Sequence, residues 1–163
     1  MGRFAVDIRA FAEKAKANAD AVVREVVLDI GTSLVMKSPV GNPSLWKSRP
    51  PKGYVGGRFR ANWQIGINVA ISGVLPNIDP TGQVSIARIG AAVPQNAAGE
   101  IYVITNNLPY AQRLEYGHST QAPNGMVALT MIEWSVIVDN AANGVRAGTS
   151  IADFNQGYQT YKL

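Results

Sequence analysis

The chain reaches residue 39 before its first proline. Across that span Phe4, Ile8, Phe11, Ala15, Val22, Val26 and Ile30 recur at three-to-four spacing, which is the period of one helix face. Asp7, Glu13, Lys14, Lys16, Asp20, Arg24 and Glu25 fall in part on the other side. The residue before a proline avoids the helical region, so Ser38-Pro39 ends the pattern and one amphipathic helix is predicted from about Arg3 to Met36. At 1.5 Å per residue it is ~50 Å long. That exceeds the ~13 Å radius of gyration of a 100-residue domain, so one end is expected to project toward a neighbour. Gly31 is a candidate kink.

Beyond the helix the chain changes character. "SPVGNPSLWKSRPPKGYVGGRFR" is rich in Pro, Gly and bases and reads as an extended loop. "ANWQIGINVAI" alternates, with Trp63, Ile65, Ile67 and Val69 on one face and Asn62, Gln64, Gly66 and Asn68 on the other. This predicts a half-buried strand. "QVSIARIGA" and "EIYVITNN" are read as two more strands, and the short linkers suit an antiparallel meander. "GMVALTMIEWSVIVDNAA" carries Val127, Thr130, Met131, Trp134, Ile137 and Val138 at helical spacing, with Asn143-Gly144 as its stop and Trp134 as a core residue. The expected class is α+β: a long N-terminal helix, an antiparallel sheet of three to four strands, a second helix packed on the sheet, and an extended Pro/Gly/basic loop. Residues 1–143 are expected to form one domain, and 144–163 a C-terminal arm.

Composition narrows the chemistry. With 163 residues, 47% of them hydrophobic, the chain can bury one real core. Only 16% of residues are charged, against roughly 25% for an ordinary soluble domain. A surface that poor in charge suits burial against other subunits. There is no cysteine, which excludes disulfides and thiolate metal sites. One histidine and scattered acids offer no metal-ligand pattern, so neither metal nor cofactor is expected. The charged N-terminus does not resemble a signal peptide, and no apolar run is long enough to span a membrane.

Two features invite a functional reading. Glu115, His118 and Ser119 lie close together in "PYAQRLEYGHSTQAPNGMV", the composition of an acid–histidine–serine hydrolase. Such triads are recognised by geometry, and the strained nucleophile turn Gly-x-Ser-x-Gly is absent, since Gln121 occupies its last position. The second feature is a charge asymmetry. From Ile30 to Ile78 no acid occurs, while Lys37, Lys47, Arg49, Lys52, Arg58 and Arg60 do. With Trp46, Tyr54, Phe59 and Trp63 interleaved, this window could meet nucleic-acid phosphates or an acidic protein surface. "GYVGGRFR" lacks the Gly-Lys-Ser/Thr ending of a phosphate-binding loop.

Three strings carry a resemblance. "SPV" (38–40), "GGRFRANWQI" (56–65) and "YVITNNLPYAQRLEYGHSTQAPNGMV" (102–127) together resemble the tail-completion family of long-tailed bacteriophages, the minor tail or head–tail joining proteins. The matching positions are Gly57, Arg60 and Trp63, then Asn107, Pro109, Tyr110, Ala111, Leu114, Glu115, Tyr116, Gly117 and Ser119, then Gln121, Ala122, Pro123, Gly125, Met126 and Val127. Residues 41–55 are an insertion relative to shorter members, and position 118, often Trp in similar sequences, is His.

The resemblance implies a structural, non-enzymatic virion protein made in the host cytoplasm. It would form a ring, a homohexamer, at the neck between the head-closure connector and the tail terminator or tail tube, around the DNA channel. Pro109, Tyr110, Leu114, Glu115, Tyr116, Gly117, Ser119, Gln121, Pro123 and Gly125, with Arg60 and Trp63, would be its interface and shape positions. Lys47, Arg49, Lys52 and Arg58 would face a partner ring or make non-specific contact with channel DNA. Arg60 and Glu115 are expected to pair, being of opposite charge. The alternatives are a tail terminator ring and a small hydrolase using His118 and Ser119.

Overall fold

The computed structural model describes residues 3–45 and 48–148, with side chains from residue 8 onward. Helix α1 spans Arg3–Lys37 without interruption. A 3-10 turn (Pro43–Leu45) and helix α2 (Arg58–Ala61) lead into strand β1 (Trp63–Ile67). Helix α3 (Gln83–Ala92), strand β2 (Tyr102–Asn106) and helix α4 (Ala111–Glu115) come next, then α5 (Val127–Ile132) and α6 (Trp134–Ala147). The protein is a mixed helix-and-sheet fold with a long N-terminal helix. No helix among the described residues is long and apolar enough to cross a membrane.

The expected sheet of three to four strands is corrected. Among the described residues it has two, β1 and β2, antiparallel with Trp63 opposite Asn106 and Ile67 opposite Tyr102. The segment read as a strand, "QVSIARIGA", is α3. Ser85 and Ile89 are its buried residues and Val93 continues at the same spacing, a helical period that the short alternation Val84, Ile86, Arg88 masks. An upstream acid fixes its start. Asp79 Oδ1 accepts the Gly82 N–H (2.8 Å) and its Oδ2 accepts the Ser85 N–H and hydroxyl (both 2.8 Å), which satisfies first-turn donors.

Strand β1 is covered on both faces, so it is not the half-buried strand that its alternation suggested. Trp63 and Ile65 join the core. On the other side residues 68–75 fold back over Asn62 and Gln64. Asn62 exchanges hydrogen bonds with the Leu75 backbone, and Gln64 Nε2 donates to the Gly73 carbonyl (3.0 Å). The strand stops where Asn68 takes φ 61°, so Val69 lies beyond it and is exposed.

The core joins Val27, Leu34 and Val35 of α1 to Phe59, Trp63, Ile65, Ile89, Val93, Leu108 and Met126. Gly31 is no kink. A Cβ there would sit 2.8 Å from Ile89 Cγ2, so its missing side chain admits α3 against α1. The second helix also departs from expectation. It packs chiefly along α1, while α3 is the helix against β1. It divides at Glu133 into α5 and α6 and runs past Asn143-Gly144 to Ala147, ending where Gly148 takes φ 71°. Residues 144–147 are thus helix, and 149–163 lie outside the described residues.

Candidate functional site

The three strings that carry the resemblance meet at one corner of the molecule. Ser38, just past α1, donates its hydroxyl to the Leu34 carbonyl (2.7 Å) and accepts the Trp63 indole N–H (2.7 Å). Phe59 packs edge-on against Trp63, with ring centroids 6.0 Å apart, and Tyr110 lies over Phe59 at 6.1 Å. An aromatic run therefore links the "SPV" turn, α2 and the start of α4.

Polar groups complete the join. Arg60 donates to three carbonyls, those of Pro80 (2.6 Å), Ser38 (3.0 Å) and Met36 (3.2 Å). Met36 and Ser38 are at the C-terminus of α1, where a cation meets unpaired carbonyls and the negative end of the helix dipole. Burial pulls the Arg60 guanidinium below its ordinary pKa, with Asp79 acting against that pull. Gln121 accepts the Val40 N–H (3.2 Å) and donates to the Val40 carbonyl (3.0 Å), so its amide acts as a peptide would in a ladder.

Glu115 does not pair with Arg60, which corrects that expectation. Its Oε2 accepts the N–H groups of Met126 (2.8 Å) and Val127 (3.0 Å), and its Oε1 that of Ala128 (2.9 Å). These are the free donors at the start of α5, so a distant carboxylate caps that helix. Burial alone would push the carboxyl up, but the three amides outweigh it and hold its pKa below the usual glutamate value. The cap needs close backbone approach. Gly125, at φ +75°, would place a Cβ 2.5 Å from both the Glu115 carbonyl and its carboxylate, and Gly117, at φ +83°, one 2.8 Å from the Pro123 carbonyl.

This framework encloses an open cleft of about 440 Å³ between the Pro/Gly loop and the segment after α4. Tyr54, Arg58, Tyr110, Leu114, His118 and Gln121 are among its walls. Burial pushes the Tyr110 phenol up, with Arg58 opposing and Tyr54 adding to it. His118 is exposed, and its backbone N–H donates to Arg113 O (3.1 Å). Ser119 Oγ accepts the Gln121 N–H (3.2 Å), a local turn. Glu115 and Ser119 thus spend their acceptor oxygens on backbone amides, and no hydrogen bond among the described residues joins either to the His118 imidazole.

The basic window divides in two. Lys37 pairs with Glu133 at 2.6 Å and Arg60 is taken up by carbonyls, so both hold the fold. Arg49, Lys52 and Arg58 are exposed, Arg58 at the cleft, while Lys47 lies outside the described residues. Pro109 and Tyr116 are exposed, and Leu114 and Ser119 half-buried. Sequence reasoning missed Asp79 and Glu133. The Asp-Pro-Thr-Gly run ahead of α3 was the available signal for the first. Trp134, expected in the core, is 46% exposed. No family model, curated protein or solved structure matches the chain.

Proposed function

We propose that this chain is a structural subunit of a bacteriophage neck, a tail-completion protein forming a homohexameric ring between the head connector and the tail terminator or tail tube. The observation that carries the reading is how the motif residues use their polar groups. Arg60, Glu115 and Gln121 direct their bonds to backbone atoms of their own chain, at eight distances from 2.6 to 3.2 Å. Residues committed in this way hold a surface in shape and leave little with which to process a substrate.

A ring subunit presents different surfaces to its two neighbours and further faces to the rings above and below. The cleft beside the motif suits such a face, with aromatic walls at Tyr54 and Tyr110 and Arg58 in its lining, while Arg49 and Lys52 are exposed on the loop before it. Tyr and Arg are the usual anchors of protein interfaces. The basic loop fits an acidic edge of the adjoining ring better than channel DNA, since tight DNA binding would impede ejection.

Mass spectrometry of purified particles and an image of the assembled neck test the assignment. The subunit is expected between connector and tail, and its absence from particles would overturn the reading. Neutralising Lys47, Arg49 and Lys52 together should stop head–tail joining; normal joining with altered DNA retention would instead place the loop on DNA. His118→Ala particles should remain fully infectious.

A further inference from the structure

The N-terminal half of α1 and a groove on its C-terminal half are complementary, and one chain cannot bring them together. Every residue from 8 to 19 is exposed, although the segment is regular helix with Ile8 52% and Phe11 74% accessible. Further along, an apolar groove of about 550 Å³ runs beside α1. It is bounded by Val22, Val26 and Ile30 of α1, Ile104 of β2, and Trp134 and Val138 of α6. An exposed Trp in an apolar groove is an anchor that a partner surface would cover.

We infer that the groove receives the α1 tip, residues 8–19, of a second copy of this chain. Dimensions agree: the groove runs along α1 from Val22 to Leu34, about 18 Å, and the tip is about as long. Charge agrees as well. The tip carries Arg9, Lys14 and Lys16 against Glu13 alone. Asp20 accepts the Ala98 N–H (2.8 Å), next to the Ala97 carbonyl that takes the hydroxyl of the groove residue Tyr102 (3.0 Å), while Arg24 is already spent on the Val93 and Pro94 carbonyls. Self-docking is ruled out by the backbone, because tip and groove wall belong to one unbroken helix. The occupant is therefore another subunit, bound as a helix in a groove. Donor and acceptor surfaces differ, so the contact is heterologous and propagates head-to-tail until rotation closes it. This deepens the ring reading above and rests on it only for closure.

The absence of cysteine makes the test clean. An Ala15→Cys chain and a Val138→Cys chain are purified separately, mixed at about 1 mM, which populates roughly a third of even a millimolar contact, and treated with a short bis-maleimide. A cross-linked dimer is expected from the mixture and from neither chain alone. Adding Phe11→Asp to the first chain should cut the yield at least ten-fold. Phe11 is exposed, so the unchanged melting temperature of that variant would show that it still folds. The inference is overturned if Ala15→Cys alone cross-links as well as the mixture, which means tip-to-tip pairing, or if no mixed product forms, or if Phe11→Asp leaves the yield unchanged. Mixed cross-linking by a protein absent from phage particles would sink the neck assignment alone. A subunit present in the neck without this cross-link would sink the docking alone.

Discussion

Asp79 and Glu115 lie ahead of helices, and all four of their oxygens accept hydrogen bonds. Glu25 and Asp29 lie one turn apart inside α1, buried to 5% and 6% exposure, and among the described residues Glu25 Oε2 and Asp29 Oδ2 have no hydrogen-bond partner. Their pKa values diverge accordingly. For Asp79, as for Glu115, burial acts upward but is outweighed, here by the Ser85, Thr81 and Gly82 donors, and the pKa falls below the ordinary value. Burial pushes Glu25 up, with Arg24 opposing. It pushes Asp29 to about 7, with Glu25 adding to the rise. The difference lies in supply. A helix start offers free N–H groups, whereas mid-helix amides are already bonded, so an acid there depends on side chains. The buried residues of α6, the helix packed along α1, are Ile137, Ala141 and Gly144, which bring no polar side chain.

The contrast can be broken at Asp79. Removing it as Asp79→Ala strands the buried Ser85 donors and should cost roughly 3 kcal/mol in urea denaturation. Asp29→Asn should act the other way. The folded carboxyl titrates near pH 7 and the unfolded one near 3.8, so between those values the folded chain keeps a proton that the unfolded chain has lost. Stability therefore falls as pH rises from about 4 to about 7, and the amide variant removes the Asp29 share of that slope and gains up to about 4 kcal/mol at pH 8. A flat stability profile for the parent chain across that window would show that Asp29 has a partner after all.

Glu115→Gln keeps the shape of the cap but discards its charge. It should cost about 1.5 kcal/mol at pH 7 and nothing below the pKa of the folded carboxyl, because the stability a depressed pKa confers is complete above the unfolded value, near 4.5, and is lost as pH falls through the folded one. The Lys37–Glu133 pair, with side chains 25% and 48% exposed, is the smallest term. A double-mutant cycle there should return about 0.5 kcal/mol and weaken further in salt.

The sequence made α1 legible because its period persists for more than thirty residues and ends at a proline. β1 and β2 were legible through alternation and β-branched content. α3 was not, because six residues of Val-Ser-Ile-Ala-Arg-Ile fit either period and the deciding acid, Asp79, stands outside the window. The motif positions could be picked out, but their partners could not. Opposite charge suggested Arg60 with Glu115, yet backbone carbonyls and amides, which no side-chain pattern advertises, took both. Trp134 read as core because periodicity locates a helix face without saying what covers it.

α1 is one object in geometry and two in thermodynamics. Its second half is anchored by the core, so amide hydrogens there should exchange only on global unfolding. Residues 8–19 are exposed throughout in the single chain and keep their helix only because the anchored half supplies the nucleus that an isolated segment of that length lacks. Their exchange in a free subunit should approach that of a short peptide helix, frayed from the N-terminus. A partner that covers them would carry the protection of the core outward along the same backbone.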